Sequence, residues 1–223
     1  MNQTTRILTG RAKPKIHVIY LVCVAVAFSV ILIACGALYH EPFTFRSACP
    51  SNLGNPGLNP RGWVLFNLLM IACGVLIIPH ALYLHRRILP ITKGLTNAML
   101  VFMLAGCAGM VGVGFFNETL GDVHYIFAAF AFGGFGIATF LGIPILIRKN
   151  VIDGKSGPVV WLRVIILYGI IFTLVVLMFR EFAIFGFDKS SELFLAEWYA
   201  LFAILTWMFG FFFTLPAKDN SKA

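Results

Sequence analysis

The stretch Leu95–Ile147, LTNAMLVFMLAGCAGMVGVGFFNETLGDVHYIFAAFAFGGFGIATFLGIPILI, decides the fold. It contains two runs, 95–116 and 124–147, without a charged side chain, joined by the polar turn Asn117–Val123. About 20 apolar residues in a helix rising 1.5 Å each are enough to cross a ~30 Å hydrocarbon core. The lipid interior supplies no water to bond free backbone amides, so such segments satisfy them internally as helices. A connection this short makes the two helices antiparallel neighbours.

Working outward, four more runs of the same kind appear at 16–39, 63–85, 158–180 and 195–215. The expected architecture is all-α: a bundle of six transmembrane helices in one membrane domain, 16–215. A basic tail, 1–15, precedes it and a short tail, 216–223, follows. The composition agrees, with 60% apolar and 12% charged residues and a mean hydropathy of +0.90, against about 45–50% and 25% in soluble domains. A disordered chain, a disulfide-built mini-scaffold and a typical soluble enzyme are excluded. The first run is too long for the roughly 7–15-residue core of a cleavable signal.

The net charge of +8 comes from basic clusters between the apolar runs, and no nucleic-acid-binding motif is present. Arg6, Arg11, Lys13, Lys15, Arg86, Arg87, Lys93, Arg148, Lys149, Lys155, Lys218 and Lys222 fall on one side of the six spans. Arg46, Arg61, Arg180 and Lys189 fall on the other. The positive-inside rule then places both termini in the cytoplasm. Most acids, among them Glu118, Asp122, Glu181 and Glu197, lie on or near the outer side. Tyr39, Trp63, Tyr125, Trp198 and Tyr199 mark outer span ends as an aromatic belt.

The outer loop 40–62, HEPFTFRSACPSNLGNPGLNPRG, holds four Pro, three Gly and three Asn, a composition of successive turns. Its length exceeds what a connection needs, which marks it as a candidate functional loop. Spans three and four carry small residues at helical spacing: Ala105, Gly109 and Gly112, then His124, Ala128, Ala131, Gly134, Ala138 and Gly142. Such stripes let helices approach closely. The short turn favours packing within the chain, and a homo-oligomeric face is the alternative. Pro79 and Pro144 are expected to kink or thin their helices.

The chemistry is fainter. Asn117, Glu118, Asp122 and His124 gather at the outer end of the span three/four hairpin, and His124 continues the inward stripe. Ionisable residues facing into a membrane bundle are functional candidates. Glu118 could hold or tune the imidazole; the plainer reading has Asp122 capping the helix and His124 bonding a loop carbonyl. Arg180, Glu181 and Glu197 lie at the outer ends of spans five and six, either as a local ion pair or, with Arg46 and Arg61, as an anionic headgroup site. A Cys35–Cys49 disulfide and two free thiols are both compatible with the outer position of the pair. No metal-ligand spacing, CxxC, HExxH, GxSxG or phosphate loop occurs. His17 and His85 lie at inner ends with His80 a turn deeper, so no central His pair suggests haem, and no cofactor is expected. Asn117-Glu118-Thr119 matches a glycosylation sequon but abuts the membrane.

Two segments resemble the Frag/DRAM/Sfk-like superfamily and its prokaryotic members of unknown function. They are Ser51–Pro79, SNLGNPGLNPRGWVLFNLLMIACGVLIIP, and Gly112–Ala138, GVGFFNETLGDVHYIFAAFAFGGFGIA, with Gly114, Phe116, Glu118, His124 and Tyr125 at the matching positions. The acid in the first loop of the eukaryotic members has no counterpart in 51–57. The resemblance implies six helices, cytoplasmic termini and an association with lipid remodelling or organisation. The first expectation is therefore a non-catalytic protein that binds or organises membrane lipid at its outer face. The alternative is a membrane-embedded lipid-modifying enzyme using His124 and Glu118, and small-solute transport comes third. The plasma membrane, or an endomembrane in a eukaryote, is the expected location.

Overall fold

The computed structural model describes residues 2–152, 157–185 and 194–215, with side chains through 148, from 157 to 181 and from 194. The described residues are helical and contain no strand. Helix α1 (Gln3–Leu8) is short, and α2 (Pro14–Ala37), α3 (Trp63–Ile88), α4 (Lys93–Phe115), α5 (Asp122–Ile152), α6 (Pro158–Phe185) and α7 (Phe194–Thr214) follow. The last six are long and apolar enough to cross a membrane, so the chain is a multi-pass membrane protein. Their bounds differ from the sequence reading by up to five residues, mostly where α5 and α6 run on past the apolar stretch. Pro79 and Pro144 sit inside continuous helices. Lys149, Lys155, Lys189 and the 216–223 tail lie outside the described side chains.

The helices form a row in which α2 packs on α3, α3 on α4, α4 on α5, α5 on α7 and α7 on α6. With no hydrophobic drive between helices in lipid, close packing and hydrogen bonds hold such a row. The glycines show how close it is. A Cβ on Gly109 would lie 2.3 Å from the Ala131 nitrogen, and one on Gly134 would lie 2.5 Å from the Gly106 nitrogen. Across α3 and α4, a Cβ on Gly114 would lie 2.5 Å from the Asn67 carbonyl oxygen. The stripe is thus consumed inside the chain. The contact on α4 runs through Gly106 and Gly109, with Ala105 only half-buried, because one residue rotates the helix face by about 100°. Gly142 turns instead to Tyr168, Trp207 and Phe211 on α6 and α7.

The basic tail is not free chain. Asn2 caps α1 by accepting from the Thr5 N–H at 2.8 Å. Gly10, at φ +65°, lets the chain lie against the Leu82–Tyr83 backbone of α3, where a Cβ would meet the Tyr83 nitrogen at 2.5 Å. Arg86 donates from Nε to the Thr9 carbonyl at 2.9 Å.

At this terminal end one buried chain of hydrogen bonds joins three helices. His80 of α3 bonds the Met208 carbonyl of α7 through Nε2 at 3.1 Å, and its Nδ1 meets His17 Nε2 of α2 at 2.9 Å. A carbonyl can only accept, so His80 carries its proton on Nε2 and takes the His17 N–H on Nδ1. His17 Nδ1 is left buried without a partner, its ring stacked on Tyr83 at 3.7 Å. Sequence separation hid this pair, since the two rings stand 63 positions apart.

Gly109→Ala and Gly134→Ala will force α4 and α5 apart and cost roughly 1–3 kcal/mol each. Gly133→Ala and Gly136→Ala, where a Cβ meets nothing within 4 Å, will leave stability unchanged. Denaturant unfolding of the four variants in detergent checks this contrast.

Candidate functional site

The site is built at the opposite end, where loop 40–62 folds inward. Its 3₁₀ turn Ser51–Gly54 begins where the Asn52 side chain accepts from the Cys49 N–H at 3.0 Å. Leu53 is fully buried and packs with Cys35, Phe66 and Trp198. Asn59, also fully buried, donates to the carbonyls of Cys35 at 3.2 Å and Leu53 at 2.9 Å and accepts from Gly62 N–H at 3.1 Å. Asn67 of α3 donates to the Gly54 carbonyl at 3.3 Å, and Trp198 of α7 donates to the Ala48 carbonyl at 2.8 Å. Of the loop asparagines, Asn59 is a cross-brace that pairs backbone carbonyls buried away from water, whereas Asn55 keeps its turn, accepting from the exposed Gly57 N–H at 2.9 Å.

Two carboxylates receive the loop. Glu118 accepts from the side-chain amides of Asn52 at 2.8 Å and Asn55 at 3.2 Å. Glu197, at the start of α7, accepts from the Ser51 hydroxyl at 3.1 and 3.2 Å and from the Ser51 N–H at 3.3 Å. Burial, helped by the neighbouring Glu197 carboxylate, pushes the Cys49 thiol above its usual range.

His124 is buried, and its Nδ1 bonds the Phe116 carbonyl at 2.8 Å. That carbonyl fixes the proton on Nδ1 and leaves Nε2 as the ring's free acceptor. His124 and Glu118 do not hydrogen-bond each other: the histidine is held by its own hairpin and the acid faces the loop. Asn117 caps the turn Glu118–Leu120 by accepting from Thr119 N–H at 3.1 Å. Asp122 is the first residue of α5, not its cap, and is exposed. Arg46, Arg61 and Arg180 are exposed and do not line the slot. Glu181 is buried but forms no pair with Arg180; the rest of that loop, from 186 to 193, is outside the described residues. Cys35 and Cys49 are free thiols and not a disulfide, with Cys49 Sγ 3.1 Å from Ser51 Oγ.

Ser51, His124 and Glu197 line one end of an elongated slot enclosed by α2, α3, α4, α5 and α7. The slot is narrow: the space open to a water-sized group is about 90 Å³. Below those three residues the walls are apolar apart from the Cys73 thiol, down to Leu21, Ile77 and Met208. Glu197 and Met208 stand eleven residues apart on α7, about 16 Å of helix rise. Met208, whose carbonyl takes the His80 bond, lines the far end. A second groove, between α2 and α7, shares Phe28, Leu32 and Leu205 with the slot, so these three side chains separate the two spaces. Ser51 was not singled out from the sequence as a site residue. Its position is set by the loop's long-range bonds, which leave no local pattern.

The chain belongs to the family described as Protein of unknown function (DUF998), whose model matches residues 22–214, from α2 to the end of α7. No curated protein and no solved structure matches it.

A raised thiol pKa keeps Cys49 protonated and unreactive near neutral pH. A thiolate-selective maleimide at about pH 8 will modify Leu58→Cys, in the exposed part of the loop, at least about tenfold faster than Cys49. Peptide mass spectrometry reads both rates. Equal rates, or a Cys35-linked peptide, would contradict the packing described.

Proposed function

We propose that this DUF998 member binds one lipid-like amphiphile without altering it, its chain in the slot and its head against Ser51, His124 and Glu197. One observation carries the reading: the slot is apolar along its depth and polar at one end only. Its depth of about 16 Å is close to half of a ~30 Å hydrocarbon core, the reach of one leaflet's chains. The charge asymmetry supports an outward-facing loop end with cytoplasmic termini, which makes the leaflet the outer one. The groove between α2 and α7 supports sideways entry past Phe28, Leu32 and Leu205. The likeness to the Frag/DRAM/Sfk-like proteins supports the same lipid connection, at the plasma membrane or a eukaryotic endomembrane. Transport of a small polar solute gains nothing from these walls.

A second reading, lipid modification, draws on a specific arrangement. His124 offers a free Nε2 at the same end where the Ser51 hydroxyl donates to Glu197. A base, a hydroxyl and a carboxylate at the head of an apolar slot suit ester chemistry. Glu118, committed to two loop amides, is not part of that set.

Ala128→Phe places a ring in the slot, whereas Ala129→Phe adds the same ring to an exposed position of α5. Lipid extracted from the purified protein will fall sharply for the first variant only, with unchanged unfolding for both. Equal lipid content in the two variants would overturn the reading, and recovery of cleaved lipid would favour the enzyme.

A further inference from the structure

Resting on that reading, we infer that the amphiphile's head is a hydrogen-bond donor, a hydroxyl or an amine, and not a phosphate or carboxylate. At the polar end of the slot the hydrogen-bond donors are all taken. Ser51 contributes two donors, and Glu197 takes both. The next two N–H groups of the turn are also used, Asn52 on the Cys49 carbonyl and Leu53 on the Pro50 carbonyl, at 3.2 and 3.1 Å. His124 has given its Nδ1 proton to Phe116.

What remains facing the slot is acceptor: the spare lone pairs of the Glu197 carboxylate and His124 Nε2. No Lys or Arg is among the described slot residues, and Arg46, Arg61 and Arg180 stand exposed. An anionic head would therefore meet acceptors already in place, with neither a Lys or Arg nor a free Ser51 donor to offset its desolvation. A hydroxyl or amine would donate to the spare lone pairs of Glu197 and to His124 Nε2. The site thus selects long-chain alcohols, amino alcohols and hydroxyl-headed glycerides over fatty acids and phospholipid acids.

The full chain, reconstituted in phosphatidylcholine nanodiscs, is equilibrated with labelled hexadecanol, hexadecylamine, palmitate and hexadecyl phosphate, which share one tail. The alcohol and the amine will be retained about tenfold more than either anion, the scale of one hydrogen bond to a charged group. Glu197→Gln will erase most of that preference, the amine losing most. His124→Asn keeps a donor for the Phe116 carbonyl while deleting Nε2, and will lower alcohol retention even if Glu197→Gln fails to fold. Equal or greater retention of the anions overturns this inference and leaves the lipid reading intact. A preference indifferent to both substitutions overturns the assigned head site. Retention of none of the four probes overturns the lipid reading and this inference with it.

Discussion

A polar loop pressed into an apolar bundle has to leave no backbone group bare, and the Asn59 side chain meets that demand at the decisive point. Fully buried, it holds two carbonyls and one N–H from α2, the 3₁₀ turn and the start of α3. A buried unpaired carbonyl costs about 1–3 kcal/mol, and the two carbonyls of Cys35 and Leu53 depend on this side chain, while the Gly62 N–H is shared with the Asn59 carbonyl. This one side chain fixes where the turn sits, and therefore where Ser51 points. The carboxylates of Glu118 and Glu197 then close the loop onto the α4–α5 hairpin and onto α7.

The slot follows from this arrangement. Helix α7 is joined to α3 at one end by the His80–Met208 bond and to the loop at the other by Trp198 and Ser51. Between those ties the row of helices curls without filling its interior, because glycine contacts draw α3, α4 and α5 tightly together on the far side. Far end, apolar walls and a polar lid are thus products of three separate constraints: a histidine chain, a small-residue stripe and a set of asparagine braces.

The helices were legible in the sequence because apolar length and charge exclusion are local properties. Tight packing of the hairpin was legible from its small residues. Its phase was legible at Gly109 and Gly112, and the third contact is Gly106 and not Ala105, a choice that needs the rotation of α4 about its axis. The asparagines of the loop announce turns whether or not they also reach across the fold, so the braces to Cys35, Leu53 and Glu118 left no mark. Glu118 and His124 stand close in sequence, yet each satisfies a nearer need, an amide pair and a hairpin carbonyl. The exposed arginines of the loops mark no binding site by themselves, because a charge at an interface is stable in water.

The most direct measurement is a high-resolution density map of the protein in lipid nanodiscs, with the slot side chains resolved. The account predicts one continuous tube of density running from Ser51, His124 and Glu197 to Ile77 and Met208, with the 51–54 turn closed over its head. A slot collapsed by inward side chains, or resolved walls around no density, would contradict it.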